Sequence, residues 1–198
     1  MTELVDSDSA KTKNIIDMAL GFTAMMRIFS EGSKPKIEQK LEDLFDNLEN
    51  INTCNEYEAC HQEFCIWFTH KIQTAGKKTR NGGFRPGQPA SYGQGAKVLD
   101  IAIKVYVYYC SQPTPVIAER LLPLLHGAID VKIMNHLKKS TGEGATIRAT
   151  TIKEVDEHGY QVLQSLVLAG SLSWKVHPVQ YDDILWRRLN RDPKKTKI

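Results

Sequence analysis

The chain has 198 residues, 41% of them hydrophobic and 25% charged, and carries a formal net charge of +3. That composition excludes a disordered, fibrous or disulfide-stapled chain and leaves enough sequence for one globular domain with a real core. The charge is unevenly spread: residues 1 to 66 hold 6 basic and 13 acidic side chains, the remainder 20 basic and 10 acidic, an asymmetry that admits a nucleic acid, an acidic protein or a second copy of the chain as partner.

The opening MTELVDSDSAKTK is polar and lacks a basic region ahead of an apolar stretch. No uninterrupted apolar segment reaches the ~18 residues that a membrane span needs. A cytoplasmic, unanchored protein is therefore expected, with Cys54, Cys60, Cys65 and Cys110 as reduced thiols. Ile15, Ile16, Ala19, Phe22, Met26 and Phe29 recur at three- and four-residue steps and predict a first helix that Gly32 and Pro35 end. A second, amphipathic helix from Ser33 carries Ile37, Leu41, Leu44, Phe45, Leu48 and Ile51 on one side. Thr53 and Glu56 have the spacing of a capping box, in which each side chain satisfies the other residue's free backbone amide, so a third helix follows through Tyr57, Phe64, Trp67, Phe68 and Ile72.

Residues 76 to 91, rich in glycine and proline, predict a long basic loop. Ser91 and Gln94 form a second capping box, which makes residues 92 to 110 a long buried helix. The β-branched alternation of Ile101, Ile103, Val105 and Val107 keeps a strand reading open for residues 101 to 109. Pro113 and Pro115 start a short helix ending near Pro123, and Asp130 can cap another running to Lys139. The stretch from Ser140 to Thr146 reads as a turn. Its Gly-x-Gly is not followed by Lys-Ser/Thr, so it is no nucleotide loop. Thr151 and Glu154 give a third capping box for a helix through Tyr160, Leu163 and Val167 that Gly170 stops. Pro178 suits the first position of a last helix, and residues 190 to 198 form a basic tail. The expected fold is all-α: a single-domain bundle, residues 1 to 198, of about seven helices around the central 92 to 110 helix.

Three charges interrupt that central run. Lys97, Asp100 and Lys104 fall at i, i+3 and i+7, with Gln94 on the same side, so they form one stripe on a helix. Together with Tyr92 and Gly93 at the helix start, the stripe can hold an anion such as a phosphate. The plainer reading makes it the solvated face of an otherwise buried helix. His126 and Asp130 lie four apart across Gly127. A carboxylate beside a histidine suits acid–base work, while the plainer reading has Asp130 capping a helix and His126 bonding a backbone carbonyl.

YGQGAKVLDIAIKVYVYY followed by LLHGAIDVKI resembles a group of uncharacterised small bacterial, often prophage-associated, proteins that carry Tyr-Gly-Gln-Ala-Gln-Lys, an apolar helix and a later His-x-Pro-x-Asp. The matching residues are Tyr92, Gly93, Gln94, Lys97, His126 and Asp130. Gly95 and Ala96 replace Ala-Gln, Asp100 stands at an expected Asn, and Ala128 replaces the proline. The resemblance covers residues 92 to 133 and implies a mostly helical fold in which these six positions act together, with no activity attached. Arg120 and His126 also have the separation of the Arg-x(4–6)-His element of HEPN ribonucleases. That resemblance implies metal-free RNA cleavage by the two side chains, although Leu121 and Pro123 depart from the family's pattern.

Cys54, His61 and Cys65 approach one face of the third helix, with His70 nearby, but lack the short paired spacing of a zinc site, and no metal or cofactor is expected. Lys77, Lys78, Arg80 and Arg85 with Phe84 form a basic loop able to meet a phosphate backbone, and Arg187, Arg188, Arg191, Lys194, Lys195 and Lys197 form a second basic cluster. Three functions follow as expectations. One is a non-enzymatic binding protein, nucleic-acid associated through loop and tail. Another is a metal-independent phosphodiester-cleaving ribonuclease using His126, Asp130, Arg120 and Lys97. The third is a homo-oligomeric structural protein.

Overall fold

The computed structural model describes residues 7–79, 81–140 and 147–190. Eight α-helices carry the described chain: α1 (Ser7–Gly21), α2 (Ser33–Phe45), α3 (Cys54–Lys71), α4 (Tyr92–Ile103), α5 (Pro115–Leu121), α6 (Val131–Ser140), α7 (Glu157–Trp174) and α8 (Pro178–Asn190). β1 (Lys77–Lys78) and β2 (Phe84–Arg85) pair as a small antiparallel hairpin. The all-α expectation therefore holds, and no described helix is long and apolar enough to cross a membrane. The capping boxes of Thr53 with Glu56 and Ser91 with Gln94 both form.

The central segment is helical throughout, which resolves the strand alternative for residues 101 to 109. It changes winding, however: α4 passes at Lys104–Tyr109 into a π-helical turn. Such wide turns concentrate at functional sites because they re-aim side chains without ending the helix. α4 packs against α1, α3 and α7, and α6, α7 and α8 pack on one another. Leu99, Ala96 and Ala102 are wholly buried in this layer, and burial of each large apolar side chain there contributes roughly 1.5–3 kcal/mol. Gly95 allows α4 to approach α3 closely, because a Cβ on it would sit 2.9 Å from the Phe68 side chain of α3.

Several boundaries differ from expectation. The first helix ends at Gly21, and the apolar pattern continues in a 3₁₀ turn, Ala24–Ile28, entered through a Thr23 cap. The second stops at Phe45, with Leu48–Asn50 as a separate 3₁₀ turn. The box of Thr151 and Glu154 caps the short turn Ile152–Glu154, whereas α7 is started by Asp156, whose side chain accepts the Gly159 amide. Gly170 does not end α7; it lies inside the helix, where the Tyr181 ring leaves no room for a Cβ. The expected turn between Ser140 and Thr146 and most of the basic tail lie outside the described residues.

Candidate functional site

The charged stripe of α4 is not solvated. Asp100 is 2% and Lys104 8% exposed, and Lys97 is half-buried. Nor do the three charges share one site. At about 100° per residue, Lys97 and Lys104 return to within about 20° of the same line, while Asp100 stands about 60° round from Lys97. Asp100 consequently meets α3 and α7, and the two lysines line a different cavity beside α8.

Asp100 lies at the inner end of a chain of buried polar groups. The Tyr160 hydroxyl of α7 donates to it, with 2.9 Å to Oδ2 and 3.0 Å to Oδ1. His61 Nε2 of α3 stands 3.0 Å from Asp100 Oδ1 and 3.0 Å from the Tyr160 oxygen. On the other side of that hydroxyl is His126 Nδ1, at 2.9 Å, and His126 Nε2 lies 2.8 Å from Glu58 Oε1. The chain therefore runs Glu58, His126, Tyr160, Asp100, His61. Cys65 Sγ closes it, 3.7 Å from His61 Nδ1. No fully buried side-chain polar atom among the described residues lacks a hydrogen-bond partner.

The segment that presents His126 is non-helical, yet it is held at three consecutive amides. His126 N donates to the Tyr57 hydroxyl, Gly127 N to Gln164 Oε1 and Ala128 N to Asp182 Oδ2. Gln164 also returns a hydrogen bond from Nε2 to the Gly127 carbonyl at 2.8 Å. Side chains thereby replace the backbone ladder that a loop lacks, which fixes the imidazole's position. Gly127 is required for this fit, since a Cβ there would come within 2.9 Å of Val167 and 3.1 Å of Asp182.

Electrostatics follow burial. Desolvation raises the Asp100 carboxyl to about 7 against the pull of His126, and it depresses His61 to about 4, which keeps that imidazole neutral. Glu58 is held below the usual carboxylate range by its hydrogen bond to His126. Burial drives the Tyr57 and Tyr160 phenols and the Cys65 thiol upward, so all three stay protonated.

A neutral His61 donates one proton, to Asp100, and its Nδ1 accepts from the Cys65 thiol. Two arrangements then satisfy the rest. In one, imidazolium His126 donates to both Glu58 and Tyr160, and Tyr160 donates to an ionised Asp100. In the other, Asp100 carries the proton, Tyr160 donates to His126 Nδ1, and His126 is neutral. They differ by a proton shifted along two hydrogen bonds.

His126, Tyr160 and Glu58 face a cavity of about 400 Å³ whose walls include Leu124, Leu125, Leu168 and Ser165. Among the described residues, Glu58 is its one carboxylate, and neither lysine nor arginine lines it. His61, Asp100 and His126 each bring a donor atom within 4.8 Å of the others, a set of two imidazoles and a carboxylate that suits a transition metal in chemical type. The Tyr160 oxygen already lies 2.9–3.0 Å from all three, so an ion there would have to displace it or take it as phenolate.

Other expected residues go elsewhere. Asp130 does not orient His126; its carboxylate accepts the Ile133 amide at 2.8 Å and caps α6, and Glu58 takes the orienting role. Arg120 is exposed and donates to the Glu49 carbonyl at 2.6 Å. It sits on α5, and His126 comes after a 3₁₀ turn that contains Pro123, so the two do not share a helix as the HEPN element would require.

Gln94 is committed to the cap, and the amides of Gly93, Gln94 and Gly95 are taken by the Val155 carbonyl, Ser91 Oγ and the Ser91 carbonyl. The start of α4 thus offers no anion nest. The Tyr92 ring lies 5.7 Å from Tyr160, at the edge of the cluster. The six positions expected to act together do not form one unit: His126 belongs to the buried chain and Tyr92 adjoins it, whereas Lys97 and Asp130 line the second cavity. Lys77, Lys78 and Arg85 are exposed on the hairpin, and Arg80 lies outside the described residues.

Glu58, His61, Tyr160, Gln164 and Asp182 were not singled out by sequence as partners of Asp100 and His126. The available signal was Glu58-x-x-His61, two polar groups one turn apart on a helix whose neighbouring turns present Tyr57, Phe64 and Phe68 to the core. Compared with family models, curated proteins and solved structures, the chain has no match.

Proposed function

We propose that this protein is an enzyme that transfers protons at His126 to and from an uncharged substrate held in the cavity beside Glu58. The observation that carries this reading is the unbroken hydrogen-bonded path from Glu58 through His126 and Tyr160 to Asp100, opening on that cavity. From the arrangement with Asp100 protonated, His126 Nε2 gives its proton to substrate while Nδ1 takes the Tyr160 proton and Tyr160 takes that of Asp100; the same relay run in reverse receives a proton from substrate. The imidazole is neutral at both ends of the relay, and the proton is stored on a carboxyl that burial raises to about 7. Glu58, half-exposed on α3, turns aside to admit substrate and orients the ring when it is absent.

The lining among the described residues, made of apolar and neutral polar side chains around Glu58 and His126, suits a neutral substrate better than phosphodiester cleavage, whose developing charge needs cations. Turnover of neutral ester, amide and N-glycoside panels by wild type and His126→Ala tests the reading. Loss of turnover by at least about a hundredfold in the variant is expected. Turnover unchanged in the variant, or none by wild type in any of these classes, refutes it.

A second reading rests on the hairpin. Lys77 pairs with Arg85 across β1 and β2, and Phe84 beside them is 69% exposed, which suits contact with a nucleic-acid backbone and a stacked base. Replacing Lys77, Lys78 and Arg85 with glutamine would flatten a salt-dependent affinity for single-stranded RNA; unaltered binding would end this reading.

A further inference from the structure

A second cavity, of about 600 Å³, lies between the end of α1, α4 with its π turn, and α8. This volume falls within the roughly 300–1,000 Å³ of small-molecule sites. One wall is apolar: Phe22, Met25, Ile28, Ile101, Val105 and Trp186. Phe22 is 63% and Trp186 48% exposed, two large side chains left uncovered at the same opening. The other wall is charged, and most of its charges are already committed.

Lys104 Nζ binds Asp182 at 3.0 Å and Asp183 at 3.2 Å. Asp182 also holds the Ala128 amide, Asp183 accepts from the Tyr109 hydroxyl at 2.6 Å, and Asp130 caps α6. Lys97 differs. Its ammonium is half-buried and makes no hydrogen bond or ion pair with any described residue; burial pulls it below the usual lysine range, and Asp130 and Asp182 lie near enough to oppose that only in part. Arg187 at the exposed side of the same cavity is likewise uncommitted to a hydrogen bond among the described residues.

We propose that this cavity binds a small amphipathic carboxylate, its apolar body against Phe22, Met25, Ile28, Ile101 and Trp186 and its carboxylate on Lys97. A half-buried ammonium without acceptors gains strongly from an anion that brings them. Three carboxylates within the same walls would repel a doubly charged phosphate, so a monoanion fits the balance of charge better. The apolar wall in turn needs a ligand with substantial hydrocarbon surface. The site stands apart from the His126 cavity: Ala128 lines this one, His126 the other, and the clamped segment between them forms part of the partition.

Calorimetric titration with decanoate, decanol and decyl phosphate tests the proposal. Saturable binding of decanoate is expected, with decanol and decyl phosphate at least about tenfold weaker, since one charge-assisted hydrogen-bonded pair corresponds to about a tenfold change or more. Lys97→Met keeps the apolar stem and should lower decanoate affinity by at least about tenfold while leaving decanol unchanged. Arg187→Gln, at an exposed position, gives a second variant expected to weaken decanoate if Lys97→Met does not fold. Equal binding of decanoate and decanol, decanoate binding unaltered in both variants, tighter binding of decyl phosphate, or no saturable binding overturns the proposal. So does sedimentation showing a dimer that Trp186→Ala dissolves, because a second copy would then be what covers the wall.

Discussion

Replacing Asp100 with asparagine removes the charge at the inner end of the polar chain while keeping its shape. Burial raises this carboxyl from an ordinary 3.8 to about 7. A group whose folded pKa is raised contributes stability that is complete below its unfolded value and is lost as pH rises through the folded one, and this gap corresponds to about 4 kcal/mol.

His61 acts in the opposite sense. Depressed from 6.5 to about 4, it contributes about 3 kcal/mol above pH 6.5 that disappears as pH falls through 4. Burial is the main cause of that depression, and the Asp100 substitution leaves His61 buried with an oxygen acceptor at the same place. Asp182, raised to about 6 chiefly by burial, is buried in both chains, and only the small part of that rise owed to the Asp100 charge is lost with the substitution.

Urea unfolding followed by circular dichroism between about pH 4.5 and 8 should therefore show Asp100→Asn gaining about 3 kcal/mol on wild type as pH rises. A difference that stays constant within about 0.5 kcal/mol across that range would mean that Asp100 ionises as an ordinary carboxylate, and the reasoning would fail.

Tyr160→Phe deletes the hydroxyl shared by Asp100, His61 and His126; with two buried groups losing a partner at about 1–3 kcal/mol each, a loss of about 3 kcal/mol in urea unfolding is expected, and under 1 would show the network to be slack. Gly127→Ala places a methyl against Val167 and Asp182 and should cost about 1–3 kcal/mol and shift the imidazole resonances of His126, which an unchanged histidine spectrum would contradict. Lys104→Met leaves Asp182 buried without its cation and should destabilise by about 3–5 kcal/mol, whereas Lys104→Met with Asp182→Asn should recover at least half of that; a double variant as unstable as the single would assign the loss to packing of the π turn.

Local signals were legible wherever the interaction is short in sequence. The Thr53–Glu56 and Ser91–Gln94 boxes form because each needs one turn of backbone and nothing else. Asp130 caps α6 for the same reason. Patterns extended over two elements misled: the apolar period that seemed to carry the first helix to Phe29 survives a break at Gly21, because a 3₁₀ turn can keep presenting side chains to the same core.

Sequence alone indicated a mostly helical chain and an apolar run over residues 92 to 110 that must be buried, while leaving open whether Asp100 faced solvent and what His126 met. Tertiary packing decided whom those two residues meet. Glu58 and His61 come from α3, Tyr160 and Gln164 from α7 and Asp182 from α8, at separations of 34 to 99 residues along the chain for the contacts involved. Periodicity specifies which face of a helix is buried but carries no information on the neighbour that face receives, and a rotation of about 60° between Lys97 and Asp100 was enough to send one stripe of charges into two separate sites.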